Sequence, residues 1–192
     1  MTNYTDAFKH AFDHAMLYEV GKFWNPNDPD VINGSMGTRE KNRKIGYVNI
    51  PADRGGETKY GIAQKPNPDI NVRNLNLADA QDVYYGRYWM SGQCDSLPYQ
   101  VAVMHFDSCV NHGVGRAKKM LQQAVGATPD GVVGPKTLQA INDMEPSQVV
   151  QAISDIRTNF YHSIVVRDPS QKIFLNGWMN RIGEVTEYSL SM

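Results

Sequence analysis

The chain has 192 residues, enough for a substantial core, and its 41% hydrophobic and 20% charged content is that of an ordinary globular protein. Its formal net charge of −1 excludes a global basic field, and with it non-specific nucleic-acid binding. No apolar run reaches the length of about 18 residues that a membrane span needs.

The N-terminus, MTNYTDAFKHAFDHAM, lacks the basic start and apolar core of a secretion signal. The expectation is synthesis in a cytoplasm, so that work outside it would need something else to release or carry the protein. Residues 5–20 read as a helix, with Thr5 as N-cap and Gly21 as the stop. Phe8, Ala11, Phe12, Ala15 and Met16 recur at helical spacing and form its apolar stripe. Glu19 falls on that same stripe. Residues 22–46 are rich in Pro, Asn, Asp and Gly and read as a long excursion with a short helix at Thr38–Lys44. The basic cluster Arg39, Lys41, Arg43 and Lys44 reads as a solvated face.

Residues 47–64 read as a hairpin. YVNI is the first strand, Pro51, Asp53, Gly55 and Gly56 make the turn, and TKYGIA returns. Leu77–Trp89 carries a helical stripe with Asn76 as its cap. A helix over 98–112 ends at Gly113, and another follows at 116–125. DGVVGPKT (130–137) is a loop entering a helix, with Pro135 in the first turn. Two long helices finish the chain. One turns Val149, Ile153, Ile156, Phe160 and Ile164 inward, the other Phe174, Trp178, Ile182 and Val185. The fold class is α+β, mainly helical, with one small sheet. Cys94 and Cys109 read as free buried thiols. With no Cys-x-x-Cys and no ligand spacing among the five histidines, no metal and no cofactor is expected.

A carboxyl on a buried stripe resists ionisation, because desolvation disfavours its charged form. A carboxylic acid still protonated near neutral pH suits general-acid work. Glycosidic cleavage pairs such an acid with a second carboxyl that stays ionised. Asp53 and Glu57, on a polar turn, are the candidates for that second group. The Thr58 hydroxyl can hold a water, and Gly55 and Gly56 let a polymer approach the backbone.

Glu19-x-Gly21, followed by YVN-x-P-A-D-x-GGET-x-YGI, resembles glycoside hydrolase family 108, the peptidoglycan muramidases that include many phage endolysins. VYYGRYW, FDSCVNHG, LQQAVG with DGVVGPKT, and FLNGWMNRI extend the resemblance along nearly the whole chain. The resemblance implies a lysozyme-like fold, with a helical body, a small β-hairpin lobe and a cleft between them. It implies a catalytic part at 1–110 and a helical peptidoglycan-binding segment at 111–192. It makes Glu19 the general acid, with Asp53 and Thr58 beside it. Glu57, Tyr60, Asp107 and Asn111 are the candidate substrate contacts, although Asp107 and Asn111 fit a structural hydrogen bond equally well. An inverting reaction would separate the two carboxyls by about 6.5–9.5 Å, and the sequence leaves Asp53 and Glu57 open as the second.

The activity so implied is that of a monomeric endolysin-type N-acetylmuramidase, cutting the β-1,4 bond between N-acetylmuramic acid and N-acetylglucosamine. Its partner is the peptidoglycan strand. A lytic transglycosylase and a non-catalytic wall-binding module are the rival readings. In the family the Glu-Gly-Gly leads almost directly into the YVN strand, so the excursion, about 22–46, stands here as an insertion.

Overall fold

The computed structural model describes residues 4–50 and 55–192. Within them the chain is mainly helical, with a two-stranded antiparallel sheet. It divides into two compact units, Phe12–Tyr85 with Tyr4, and Thr5–Ala11 with Gly86–Met192. The opening helix α1 (Asp6–Glu19) contributes to both. Its cap is Thr5, whose hydroxyl accepts the Phe8 N–H at 3.3 Å. The expected stripe, Phe8 to Met16, is buried, and Glu19 at its end is half-buried.

In the first unit, Phe12 meets Trp24 and Tyr84 edge-on, with ring centroids 5.9 and 5.3 Å apart. The excursion is more ordered than its composition implies. It holds α2 (Pro29–Asn33) and α3 (Arg39–Lys44). The sequence reading missed α2, a five-residue helix with a single buried side chain, Val31, and thus no periodic stripe. Its caps were visible all the same. Asp28 accepts the Asp30 N–H at 2.8 Å, Pro29 opens the first turn, and Gly34 closes the helix in the left-handed region.

The basic cluster is corrected in part. Lys41 pairs with Asp30 at 2.9 Å, and Lys44 with Asp28 at 2.9 Å and Asp30 at 3.3 Å. Two of the four cations therefore tie α3 to α2 and do not simply face water. These contacts, above all the Lys44 bond, hold the Asp28 carboxyl below its ordinary range.

The sheet also differs from expectation. Its strands are β1 (Thr58–Lys59) and β2 (Ile62–Ala63), paired Thr58–Ala63 and Lys59–Ile62. The turn is Tyr60–Gly61, with φ of +52° and +74°. Positive φ at both central residues matches the right-handed twist of the strands, which closes the hairpin inside TKYGIA. YVNI supplies only a single bridge, Val48 to Thr58. Pro51 and Asp53, expected in the turn, lie outside the described residues. The hairpin anchors the excursion. Tyr60 Oη donates to the Val31 carbonyl at 2.5 Å, and Lys59 Nζ donates to the carbonyls of Gly34 and Arg73 at 2.9 and 3.0 Å. Helix α4 (Leu77–Tyr84) starts in a reciprocal cap between Asn76 and Asp79, each bond 3.0 Å. A π-helical stretch, Tyr85–Met90, continues it.

The second unit is built on α5 (Tyr99–His112), buried without a break from Val101 to Cys109. Around it lie α6 (Val114–Ala124), α8 (Pro146–Arg167) and α9 (Lys172–Leu190). Helix α7 (Pro135–Asn142) packs on α8, with Pro135 at its start. Phe8, Trp89 and Phe106 form an aromatic triple with centroids 5.6–5.8 Å apart. On α8 the fully covered face is Val149, Val150, Ile153, Arg157 and Tyr161, so Phe160 lies beside it. Phe174, expected inward on α9, is 50% exposed, while Trp178 stacks on Tyr161 at 4.5 Å. Cys94 and Cys109 are free and buried, and a Cβ placed on Gly92 would sit 3.1 and 3.0 Å from their sulfurs.

Candidate active site

Glu19 stands at the last turn of α1, where the helix ends in bonds from the Val20 and Gly21 N–H groups to the Met16 carbonyl, 2.9 and 3.2 Å. Its carboxyl lies against the Tyr60–Gly61 turn. A Cβ on Gly61 would come 2.8 Å from Glu19 Cβ and 3.1 Å from its Oε2, and 2.7 Å from Tyr84 Oη. Only a glycine lets the hairpin close this far onto the acid. Tyr84 Oη in turn donates to the Tyr60 carbonyl at 3.0 Å, pinning the turn from below. Segment 45–48 closes the other side. The Ile45 carbonyl accepts the Tyr60 N–H at 2.8 Å, and a Cβ on Gly46 would lie 3.3 Å from Val20 Cγ2. The sequence reading singled out Gly55 and Gly56, as the glycines that let a polymer approach the backbone. The glycine that touches the acid is Gly61, whose place in a YG pair between two short strands was the available signal.

The other expected residues divide. Thr58 is in β1, its N–H and carbonyl bonded to Val48 at 2.8 and 2.9 Å. Glu57 is mostly covered. Its Oε1 accepts from Tyr47 Oη at 2.6 Å and pairs with Arg73 Nε at 3.2 Å, so it is not the open carboxylate the turn composition implied. Asp53 lies outside the described residues. Tyr60, expected as a substrate contact, is a core residue with no exposed surface, its hydroxyl spent on Val31. Burial pushes that phenol well above its ordinary value, beyond any acid–base use near neutrality.

Asp107 is likewise corrected. It is 2% exposed and receives Arg157 Nη2 at 2.6 Å and Arg181 Nε and Nη2 at 3.0 and 2.9 Å. Burial alone would raise its pKa, but the two guanidinium groups overcome that and hold the carboxyl at about 2. Asn111, one turn on, accepts from Tyr161 Oη. His112 accepts from Arg157 Nε at 3.2 Å, and burial together with that arginine pushes it down to about 3. This network was legible in part. Arg157 interrupts an apolar stripe at Ile153 and Tyr161, the same anomaly that singled out Glu19.

The DGVVGPKT loop is organised by Gln122 of α6, which the sequence reading passed over. Its amide donates to Asp130 Oδ1 at 2.7 Å and to the Val132 carbonyl at 3.1 Å, and it accepts the Gly131 N–H at 2.7 Å. A pocket of about 800 Å³ opens there, lined by Thr128, Asp130, Pro135 and Lys136 among others.

Comparison with known proteins places these segments. Residues 42–113 match the family model "Glycosyl hydrolase 108", and residues 116–183 match "Predicted Peptidoglycan domain". The first match begins after most of the excursion, so Glu19 precedes it. No curated protein matches the chain. Among solved structures, Brucella abortus SagA is similar, with 27% identity, 95% of each chain covered and a TM-score of 0.68. The two matches, in that order along the chain, identify a glycoside hydrolase: a glycosyl hydrolase 108 segment followed by a peptidoglycan domain.

Proposed function

We propose that this peptidoglycan hydrolase is an endo-acting N-acetylmuramidase with Glu19 as its general acid. The observation that carries the reading is the close approach of Gly61 to the Glu19 side chain. It sets a half-buried carboxyl under a tight turn, where a bridging sugar oxygen can receive its proton. As the bond to that oxygen breaks, positive charge grows on the muramic acid ring, and a second carboxylate directs water to the opposite face. The commitment of Glu57 to Tyr47 and Arg73 favours Asp53 for that role, with Thr58 ordering the water. On this reading residues 1–110 cut the strand and residues 111–192 hold the wall, through the face around the Gln122-braced loop.

Glu19→Gln should lower the release of reducing ends from purified peptidoglycan by about 10²–10⁴-fold, with the circular dichroism spectrum and wall pull-down unchanged. Asp53→Asn should approach that loss, and Glu57→Gln should fall well short of it. Mass spectrometry of the fragments separates hydrolysis, which adds a water, from internal attack, which leaves an anhydro-sugar. Undiminished turnover by Glu19→Gln refutes the assignment.

A further inference from the structure

Immediately after Glu19, Val20, Gly21, Lys22 and Phe23 line a pocket of about 340 Å³, closed from the excursion side by Arg43 and Tyr47 among others. Phe23 is the phenylalanine of its lining and is 41% exposed, a large apolar side chain left open to solvent. Two cations flank its ring. Lys22 Nζ stands 5.4 Å from the ring centroid and Arg43 Cζ 5.5 Å. Their neighbours Lys41 and Lys44 are neutralised by Asp28 and Asp30. Lys22 and Arg43 form no ion pair with a carboxylate among the described residues. Of its five cations the excursion thus spends Lys41 and Lys44 on its own folding and sets Lys22 and Arg43 over an aromatic ring, a few residues along the chain from the residue proposed to protonate the substrate.

We propose that this pocket is a subsite for a muramic acid unit, and that the excursion selects strands bearing carboxylates over neutral ones. The inference rests on the muramidase reading of Glu19. The volume is at the low end of the roughly 300–1,000 Å³ of ligand pockets, sized for one substituted sugar. An aromatic face takes the C–H face of a pyranose ring. Muramic acid differs from N-acetylglucosamine by its lactyl ether, which ends in a carboxyl or carries a stem peptide with carboxylates of its own. Lys22 and Arg43 supply the countercharge for either source, and Arg43 can grip it with two parallel N–H groups. Chitin strands offer nothing to these cations. The link to Glu19 is direct, because residues 46–48 of the pocket rim pack on Val20 and pair with the hairpin that closes on the acid.

The test uses the full chain carrying Glu19→Gln, so that ligands survive, and calorimetry with three probes. These are a peptidoglycan tetrasaccharide with stem peptides, the same tetrasaccharide stripped by an amidase to its lactyl carboxylates, and chitotetraose. Adding Lys22→Ala and Arg43→Ala together should weaken a carboxylate-bearing tetrasaccharide by roughly fivefold or more and leave chitotetraose unchanged. Loss with the stripped tetrasaccharide assigns the lactyl group, and loss confined to the intact one assigns the stem peptide. Arg39→Ala, with a single charge removed from the same helix, should change none of them. Binding of all three probes unchanged between the parent and the double variant overturns the proposal, and so does equal weakening of all three. Turnover by the wild-type chain on the intact strand reports separately on the muramidase reading.

Discussion

Gly61 has a φ of +74°, and the space its side chain would need is already filled by Glu19 and Tyr84. Gly61→Ala should therefore cost about 2 kcal/mol or more, from left-handed backbone strain and from the clash together. Because one of the clashing groups is the proposed acid, activity should fall further than the fraction unfolded. Chemical denaturation and turnover on the same preparation would show the two losses apart. Single residues were the scale at which the sequence was most informative about chemistry and least informative about contacts. Glu19 was legible because a carboxyl broke an apolar period. The burial of Tyr60 and Asp107 was not legible. Their pairing partners, Val31, Arg157 and Arg181, lie 29, 50 and 74 positions away, and no local pattern encodes such distances.

Among elements, the excursion departs furthest from its sequence reading. Proline, asparagine and glycine mark it as irregular, yet capped helices α2 and α3 stand in it, joined by ion pairs and fastened to the hairpin by Lys59 and Tyr60. The two long closing helices were legible as elements, since a stripe repeated over several turns outweighs single exceptions such as Phe160 and Phe174, which fall off the buried faces. The sheet was misread, because period-two reasoning needs more than the two residues each strand contains. If the hairpin is what fixes the excursion, Tyr60→Phe should destabilise the first unit by about 1 kcal/mol, leaving the Val31 carbonyl with only the Gly34 N–H of its two donors. Hydrogen exchange should then quicken across residues 29–44 while α5 stays protected.

For the whole molecule, the boundary between the two family segments does not coincide with a break in packing. Helix α5 ends the hydrolase match, α8 and α9 carry the peptidoglycan match, and the Asp107–Arg157–Arg181 cluster joins them inside one unit. That joint is sensitive to acid. The Asp107 pKa of about 2 lies below its ordinary 3.8, so its contribution is complete above the unfolded value and is lost as pH falls through the folded one. His112, held at about 3 against an ordinary 6.5, acts in the same direction. The unfolded chain takes up its proton first, and stability declines as pH drops from 6.5 toward 3. Denaturation midpoints measured across that window should fall steadily, and His112→Gln should flatten the upper part of the decline.

The sulfurs crowded around Gly92 turn this same core into a gauge of its own opening. A maleimide cannot meet either thiol while α5 is covered, so the intact protein should gain no label and the denatured protein two. The rate of modification would then time how often the helical core comes apart, with no dye or tag added.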